Sequence, residues 1–335
     1  MDLVLSLADH YLLDAVWARV LPLDAFNVPA HLSSFGKLPS DAAALPLPTW
    51  RSLVAHLPHP PLNNATAPYA SSVAPLLSAW PRDYIPRQIL SLSAITLAGI
   101  IVLYFLFAGL SYQYIFNHEM MDHPRFLKNQ VKLEIQSSLS AFPGMTLLTL
   151  PWFQAEVMGY SKLYQNVDEY GWAYFILSVP WFLLFTDYGI YWVHRLLHHP
   201  VLYKYIHKPH HKWLIPTPFA SHAFHPIDGY LQSVPYHLFI FIFPLQRHLY
   251  LALFVAVNFW SIFIHDSDMI TGHFLEKVIN GPAHHTLHHL YFTVNYGQYF
   301  TWADRWGGSY RQPESSLDPL LEVQAAKALK AQKAQ

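Results

Sequence analysis

Cysteine is absent from all 335 residues. That absence excludes disulfides, thiolate zinc sites, iron–sulfur clusters and cysteine nucleophiles. Charge is scarce as well: Asp, Glu, Lys and Arg make up 12% of the chain, about half the usual share of a soluble domain. The 20 Lys+Arg against 21 Asp+Glu leave a net charge of −1. No basic excess is available for phosphate recognition, so nucleic acid is not the expected partner. No glycine-rich dinucleotide fingerprint occurs. Nor does the start read as a signal peptide, since Asp2, Asp9 and Asp14 interrupt its apolar run. What is abundant is apolar: 53% of the chain is hydrophobic and 16% aromatic. A water-soluble protein would struggle to cover such a surface, which points to a lipid bilayer.

Long uncharged runs supply the spans. Residues 89–110 carry no charge, and 135–155 are bounded by Glu134 and Glu156; residues 171–193 hold Asp187 as their one charge. Each is long enough for a hydrocarbon core of roughly 30 Å. Two shorter runs, 231–245 and 249–264, flank Gln246-Arg247-His248 and suit a short or re-entrant hairpin, with Pro235 and Pro244 marking irregular backbone. Loop charges orient the chain. Arg125, Lys128 and Lys132 follow the first run, Lys162 alone follows the second, and Arg195, Lys204, Lys208 and Lys212 follow the third. The first loop and everything after His194 therefore read as cytoplasmic, and residues 1–85 as lumenal. Arg82 and Arg87 stand against that orientation, and the sequon Asn64-Ala65-Thr66 agrees with it. Residues 22–86 are Pro-rich and read as surface helices and loops, and the tail from Glu322 as an exposed helix. The expected class is all-α, a polytopic membrane helical bundle with a cytoplasmic histidine-rich catalytic cap. Its expected divisions are 1–85, an interfacial lumenal segment; 86–170, a transmembrane hairpin; 171–312, the di-metal catalytic domain; and 313–335, an exposed tail.

Histidine is the outlier, with 22 copies, of which 16 lie between His194 and His289. His194 and His198 are four apart, so a helix would present both from one face. His207, His210 and His211 stand at i, i+3 and i+4, and His285, His288 and His289 repeat that spacing beside His284. His265 follows the last apolar run. A lone histidine at a membrane edge is ordinarily an interfacial or core polar group, the reading that suits His199, His222, His225, His237, His248 and His273. Nine patterned imidazoles exceed the three or four ligands of one zinc site and suit two metals with open positions. Imidazole itself does not choose between zinc, copper, nickel and iron. Asp187, seven residues before His194, falls on the same helical stripe, where its carboxylate could accept a ligand's ring N–H. Three chemistries compete. Hydrolysis of a lipid ester needs one metal-bound water and fewer ligands. Attack on an unactivated C–H bond needs redox-active iron and O₂. A transport path would place its histidines near the midplane, whereas these clusters fall outside the apolar runs.

The motifs His194-Arg195-x-x-His198-His199, His207-Lys208-Pro209-His210-His211 and His285-x-x-His288-His289 resemble the histidine boxes of the membrane fatty acid hydroxylase/sterol desaturase superfamily. Asp187-Tyr188-Gly189-Ile190-Tyr191-Trp192, Ala223-Phe224-His225-Pro226-Ile227-Asp228-Gly229, Asn295-Tyr296-Gly297-Gln298 and Gly307-Gly308-Ser309-Tyr310-Arg311 narrow the resemblance to the fungal Δ7-sterol C5(6)-desaturases. Trp302-Ala303-Asp304-Arg305 departs from the family, which usually has Trp directly before the Asp-Arg pair; a local packing change is expected there. The resemblance implies an endoplasmic reticulum membrane enzyme that introduces the C5=C6 double bond into a Δ7-sterol such as episterol. It implies two iron ions, O₂ and electrons from NAD(P)H through cytochrome b5 and its reductase, a separate donor because no His-Pro-Gly-Gly haem motif is present. A sterol C4-methyl oxidase or a fatty acid hydroxylase of the same superfamily is the alternative. Thr217 and His225, with His222, follow the second box and are expected to face substrate. Asp304 and Arg305 are expected to pair near the site or with each other. Lys204, Lys208 and Lys212 read as interfacial anchors and as a docking patch for acidic cytochrome b5.

Overall fold

In the computed structural model the described residues are 1–23, 54, 57–60 and 78–333. Asn64 with its sequon, His31 and most of the Pro-rich 22–86 segment lie outside them. The chain divides into two compact units, Met1–Ile95 and Thr96–Gln335.

In the first unit, α1 (Asp2–Ala8) passes through a wider turn at Asp9–Leu13 into α2 (Asp14–Val20). Leu21, Val54, Ala79 and Trp80 form a small core with Trp17 and Tyr84. Polar residues lock it. Arg87 is buried and donates to Asp9 at 2.7 Å, Asp14 at 2.5 Å and the Trp80 carbonyl at 2.9 Å, while Arg82 pairs with Asp14 at 2.5 Å. A buried guanidinium is tolerated only with its charge and donors matched in this way.

Helices then follow in order: α3 (Ile85–Tyr114), α4 (Gln130–Val157), α5 (Gly171–Leu197), α6 (Pro226–Ile242), α7 (Arg247–Phe263), α8 (Pro282–Tyr291), α9 (Trp302–Gly307) and α10 (Pro319–Lys333). The strands among the described residues are two residues each, β1 (Leu163–Tyr164) and β2 (Leu245–Gln246), paired in parallel with Leu163 opposite Leu245. Among the described residues α3 and α5 are long and apolar enough to cross a membrane, and most of their apolar surface is not covered by protein. Val102, Leu106 and Leu110 on α3, and Trp172, Ile176, Leu177 and Leu184 on α5, are exposed. In water such faces would be an aggregation liability. The run 135–155 forms the interior of α4, but its serines, threonines and prolines leave it short of the same apolarity. The two shorter runs become α6 and α7. Pro235 sits inside α6 without ending it, whereas Pro244 falls in the turn between the pair.

The main core joins α5, α6 and α7. Phe182 and Ile190 meet Tyr236, Phe239 and Ile240, with Tyr250, Leu253 and Val257 behind them. Close approach of α5 to α6 depends on Gly189, since a Cβ there would stand 2.8 Å from the Pro235 ring. A second core sets Tyr104 and Ala108 of α3 against Phe142 of α4, with Phe219 and Ile262. The C-terminal segment is less free than its composition implies. Its helix starts at Pro319, Val323 is fully buried, and Glu322 and Lys327 pair with Arg125 at 2.5 Å and Asp122 at 3.0 Å. The apolar residues Leu320 and Val323 give the helix one face to bury, which the Ala, Lys and Gln content obscured.

Substituting Gly189→Val inserts atoms where the Pro235 ring already sits. Overpacking of this kind costs about 1–3 kcal/mol. Thermal unfolding of the purified protein in detergent should show a lowered midpoint, and an unchanged midpoint would mean α5 and α6 do not meet as described.

Candidate metal centre

Nine histidines converge from four stretches of chain. His194 lies in the last turn of α5 and His198 caps that helix, its N–H reaching the His194 carbonyl at 3.2 Å. His207, His210 and His211 do not share one α-helix as their spacing had predicted. Pro209 has no N–H to continue a helical ladder, so a wide turn at Tyr203–His207 gives way to a tight one at His210–Lys212. All three rings are nevertheless buried. His265 follows the end of α7. His285, His288 and His289 do lie on an α-helix, α8, started by Pro282 and closed by Phe292 in the left-handed conformation at φ 64°.

The rings sort into two groups that cut across the sequence boxes. His194, His198, His207, His211 and His288 form one; His210, His265, His285 and His289 form the other; within each, the ligand nitrogens lie within 4.8 Å of one another. Nε2 atoms face Nε2 atoms. In the group of five, His194 to His207, His207 to His211, His211 to His198 and His211 to His288 are each 3.1 Å apart. In the group of four, His265 to His285 is 3.0 Å, His285 to His289 3.2 Å and His265 to His210 3.3 Å.

The outer ring nitrogens explain why the inner ones converge. His207 donates Nδ1–H to Asp228 at 2.7 Å; His194 donates to the Tyr296 carbonyl at 3.0 Å, His288 to Val294 at 2.7 Å, His289 to Trp213 at 2.9 Å and His265 to Ser261 at 2.5 Å. A ring that spends its one neutral-state proton on Nδ1 turns a bare lone pair inward at Nε2. His194 and His207 both do so, and their Nε2 atoms then face each other at 3.1 Å with no proton between them. Protonating the rings instead is disfavoured. Burial pushes His210, His211, His285, His288 and His289 well below the usual histidine range, His265 to about 4 and His198 to about 3. Facing lone pairs in a buried place call for a cation. Ligands about 2.1 Å from a shared ion are themselves separated by roughly 3–4 Å, the spacing found here. The donor set therefore fits two metal ions bound by imidazole.

Other residues singled out in the sequence take different places. Asp187 does not accept from a histidine; its Oδ1 accepts the backbone N–H groups of Gln298, Tyr299 and Phe300 at 3.1, 2.7 and 3.2 Å. Seven-residue spacing put it on a buried face of α5 with His194, but its carboxylate is taken up by the backbone of residues 298–300. Thr217 directs its hydroxyl to Glu134 of α4 and caps the turn at Pro218–His222, so its polar atom is engaged away from the rings. His225 is the N-cap of α6, accepting from the Ile227 N–H at 3.2 Å. His222 lies outside both groups, between Ser221 at 3.0 Å and Asn258 at 3.4 Å. His284 faces Tyr310, and His199 and His273 are exposed. Asp304 and Arg305 are not a pair: Asp304 accepts from the Tyr296 and Gly297 N–H groups, and the Arg305 guanidinium lies 3.7 Å above the Tyr310 ring. The extra residue of Trp302-Ala303 is absorbed by an exposed Trp302 stacked on Tyr188 and a buried Ala303. Asp228 is the carboxylate that the spacing argument missed. It is 21 residues from His207, beyond any helical offset, and its one sequence signal was the Ala223–Gly229 segment.

Comparison with known proteins agrees with this geometry. The fatty acid hydroxylase family model matches residues 179–309, a stretch containing all nine histidines. A Delta(7)-sterol 5(6)-desaturase of Gibberella zeae is 50% identical over 323 residues, covering 96% of this chain and 93% of that protein. The chain belongs to the Δ7-sterol 5(6)-desaturase family. Within that family, a member from Leptosphaeria maculans is 48% identical over 95% of this chain and 88% of its own length, and the lathosterol oxidase of Homo sapiens is 53% identical over 71% and 80%. No solved structure matches the chain.

Asp228 holds one histidine of this desaturase-family site by a buried charge-assisted bond. Partners of metal-ligating histidines typically contribute 10–100-fold in metal affinity. Asp228→Ala should therefore retain less metal than the parent after dialysis against a graded chelator series, by about that factor; equal retention would detach Asp228 from the site.

Proposed function

We propose that this protein desaturates the C5–C6 bond of a Δ7-sterol of the episterol type at two iron ions held by the nine histidines. The observation that carries the reading is the convergence of nine imidazoles, eight of them buried and five anchored through Nδ1, into a group of five and a group of four. The relatives' printed activities supply the substrate class. Iron, when bound, would supply the one-electron and O₂ chemistry that removal of hydrogen from an unactivated C–H bond requires. The balance is closed: the sterol loses two hydrogens, and O₂ takes up these, two electrons from NAD(P)H through cytochrome b5 and two protons, leaving as two waters.

The chain's own contribution is to hold and shield. His194, His198, His207, His211 and His288 would bind one ion, and His210, His265, His285 and His289 the other. Asp228 and the carbonyls of Ser261, Trp213, Val294 and Tyr296 keep each anchored ring from turning. Burial excludes water from the reacting centre. Asp187 anchors a loop, Thr217 caps a turn and His225 caps a helix, in place of the ligand-supporting and substrate-facing roles expected from the sequence. The enzyme is read as a multi-pass endoplasmic reticulum protein with α3 and α5 in the bilayer, from which the sterol arrives. The loop charges support a cytoplasmic site within reach of cytochrome b5, with exposed Lys204, Lys208 and Lys212 nearby. Pairing of Arg82 and Arg87 with Asp14 and Asp9 removes the main objection to lumenal residues 1–85.

The test is expression in a fungus lacking its C5-desaturase, with sterol analysis. The parent chain should restore ergosterol. His207→Ala and His288→Ala should accumulate Δ7-sterols at normal protein level, because members of one centre are not additive, whereas His59→Ala should behave as the parent. Complementation by both cluster variants would overturn the shared centre. C4-methylated sterols or hydroxylated fatty acids as the altered products would favour the alternatives within the superfamily.

Orientation has its own measurement. A glycosylation reporter should be modified at Asn64, and a tag placed after Arg311 should remain accessible from the cytosol. A lumenal tag would reverse the assignment and exclude cytochrome b5 as the donor.

A further inference from the structure

Five consecutive backbone N–H groups, from Tyr296 to Phe300, point at two buried carboxylates. Tyr296 donates to Asp304 Oδ1 and Gly297 to Asp304 Oδ2, each at 2.8 Å. Gln298, Tyr299 and Phe300 donate to Asp187 Oδ1. Ser309 adds its hydroxyl to Asp304 at 2.8 Å. Hydrogen bonds to ionised acceptors are about twice as strong as neutral ones, so this segment is clamped from α5 on one side and α9 on the other.

The clamped segment and its preceding residues carry two carbonyls with a common destination. Tyr296 accepts from His194 and Val294 from His288. Both rings belong to the group of five. The anchors recorded for the group of four lie elsewhere in the chain, at Ser261 for His265 and Trp213 for His289. The two groups thus lean on separate supports.

We propose that Asp187 and Asp304 are positioning residues that control metal occupancy of the five-histidine group, and that the two groups can be emptied independently. The proposal rests on the two-ion reading above. Neither carboxylate hydrogen-bonds a ring; Asp304 accepts the Gly297 N–H of the peptide whose carbonyl orients His194, and Asp187 holds the three residues that follow it. The oxygens of the two acids are used differently. Asp187 employs Oδ1 alone, and its Oδ2 has no hydrogen-bond partner, so asparagine can keep all three bonds. Asp304 uses both oxygens, so asparagine cannot.

The experiment is elemental analysis of the purified full-length chain after dialysis against a chelator. The parent should hold about two ions per chain. Asp304→Asn and Asp187→Ala should hold about one, with Asp187→Asn restored toward two. Adding His194→Ala to Asp304→Asn should remove nothing further, whereas adding His285→Ala should bring the content near zero. If Asp304→Asn does not give folded protein, Ser309→Ala removes a single donor from the clamp and should weaken retention of one ion alone, by about 10-fold. Two ions retained in both Asp304→Asn and Asp187→Ala would overturn the proposal, as would loss of both ions in parallel. A parent chain holding fewer than two ions would instead overturn the two-ion reading, and the proposal with it.

Discussion

Imidazole nitrogens that face one another as bare lone pairs in a buried space repel unless a positive charge lies among them. Every other feature around the site serves that condition or is arranged by it. Neutral rings are required, and burial keeps them neutral by pushing their proton affinity down. Rings of fixed tautomer are required, and for His207, His194, His288, His289 and His265 Asp228 and four backbone carbonyls take up the Nδ1 protons. A ring free to flip would satisfy its own lone pair with a neighbouring N–H and close the site as a hydrogen-bonded cluster. Anchoring the outer nitrogen prevents that.

The supports for this arrangement come from helices that are themselves held by unusual means. The α5–α6 contact uses a glycine to admit a proline ring, so the helix that delivers His194 and the helix that delivers Asp228 are set at short range. His207 then meets Asp228 across that junction. On the far side, α8 presents three histidines with ordinary helical spacing, and the segment after it returns to orient two rings of the five-histidine group. The metal-binding core is therefore a meeting of helix ends and short turns, where backbone carbonyls are available because helical ladders stop there.

The apolar faces of α3 and α5 bear on function through access. An apolar fused-ring substrate partitions into a bilayer, and the histidine groups lie at the end of one of the two helices long and apolar enough to cross it. Lys204, Lys208 and Lys212, in the turns that carry the second histidine box, are exposed. Membership of the Δ7-sterol 5(6)-desaturase family fits an apolar substrate of this kind.

Composition, spacing and resemblance alone pointed to a helical, bilayer-associated metalloprotein and named the nine histidines that converge. Helical periodicity and long uncharged runs are local properties, so α3, α5 and α8 were legible, and so was the clustering of imidazoles. Which ring joins which group was not. The second and third boxes are each split between the two groups, because Pro209 breaks the local helix and because partners arrive from residues up to 94 positions apart, as His194 and His288 do. Carbonyl anchors leave no trace in a sequence, since every residue has one. The carboxylates show the same division. Spacing placed Asp187 on the buried face it shares with His194, yet only packing decided that its carboxylate would take the 298–300 backbone and that Asp228, from another helix, would hold His207 instead.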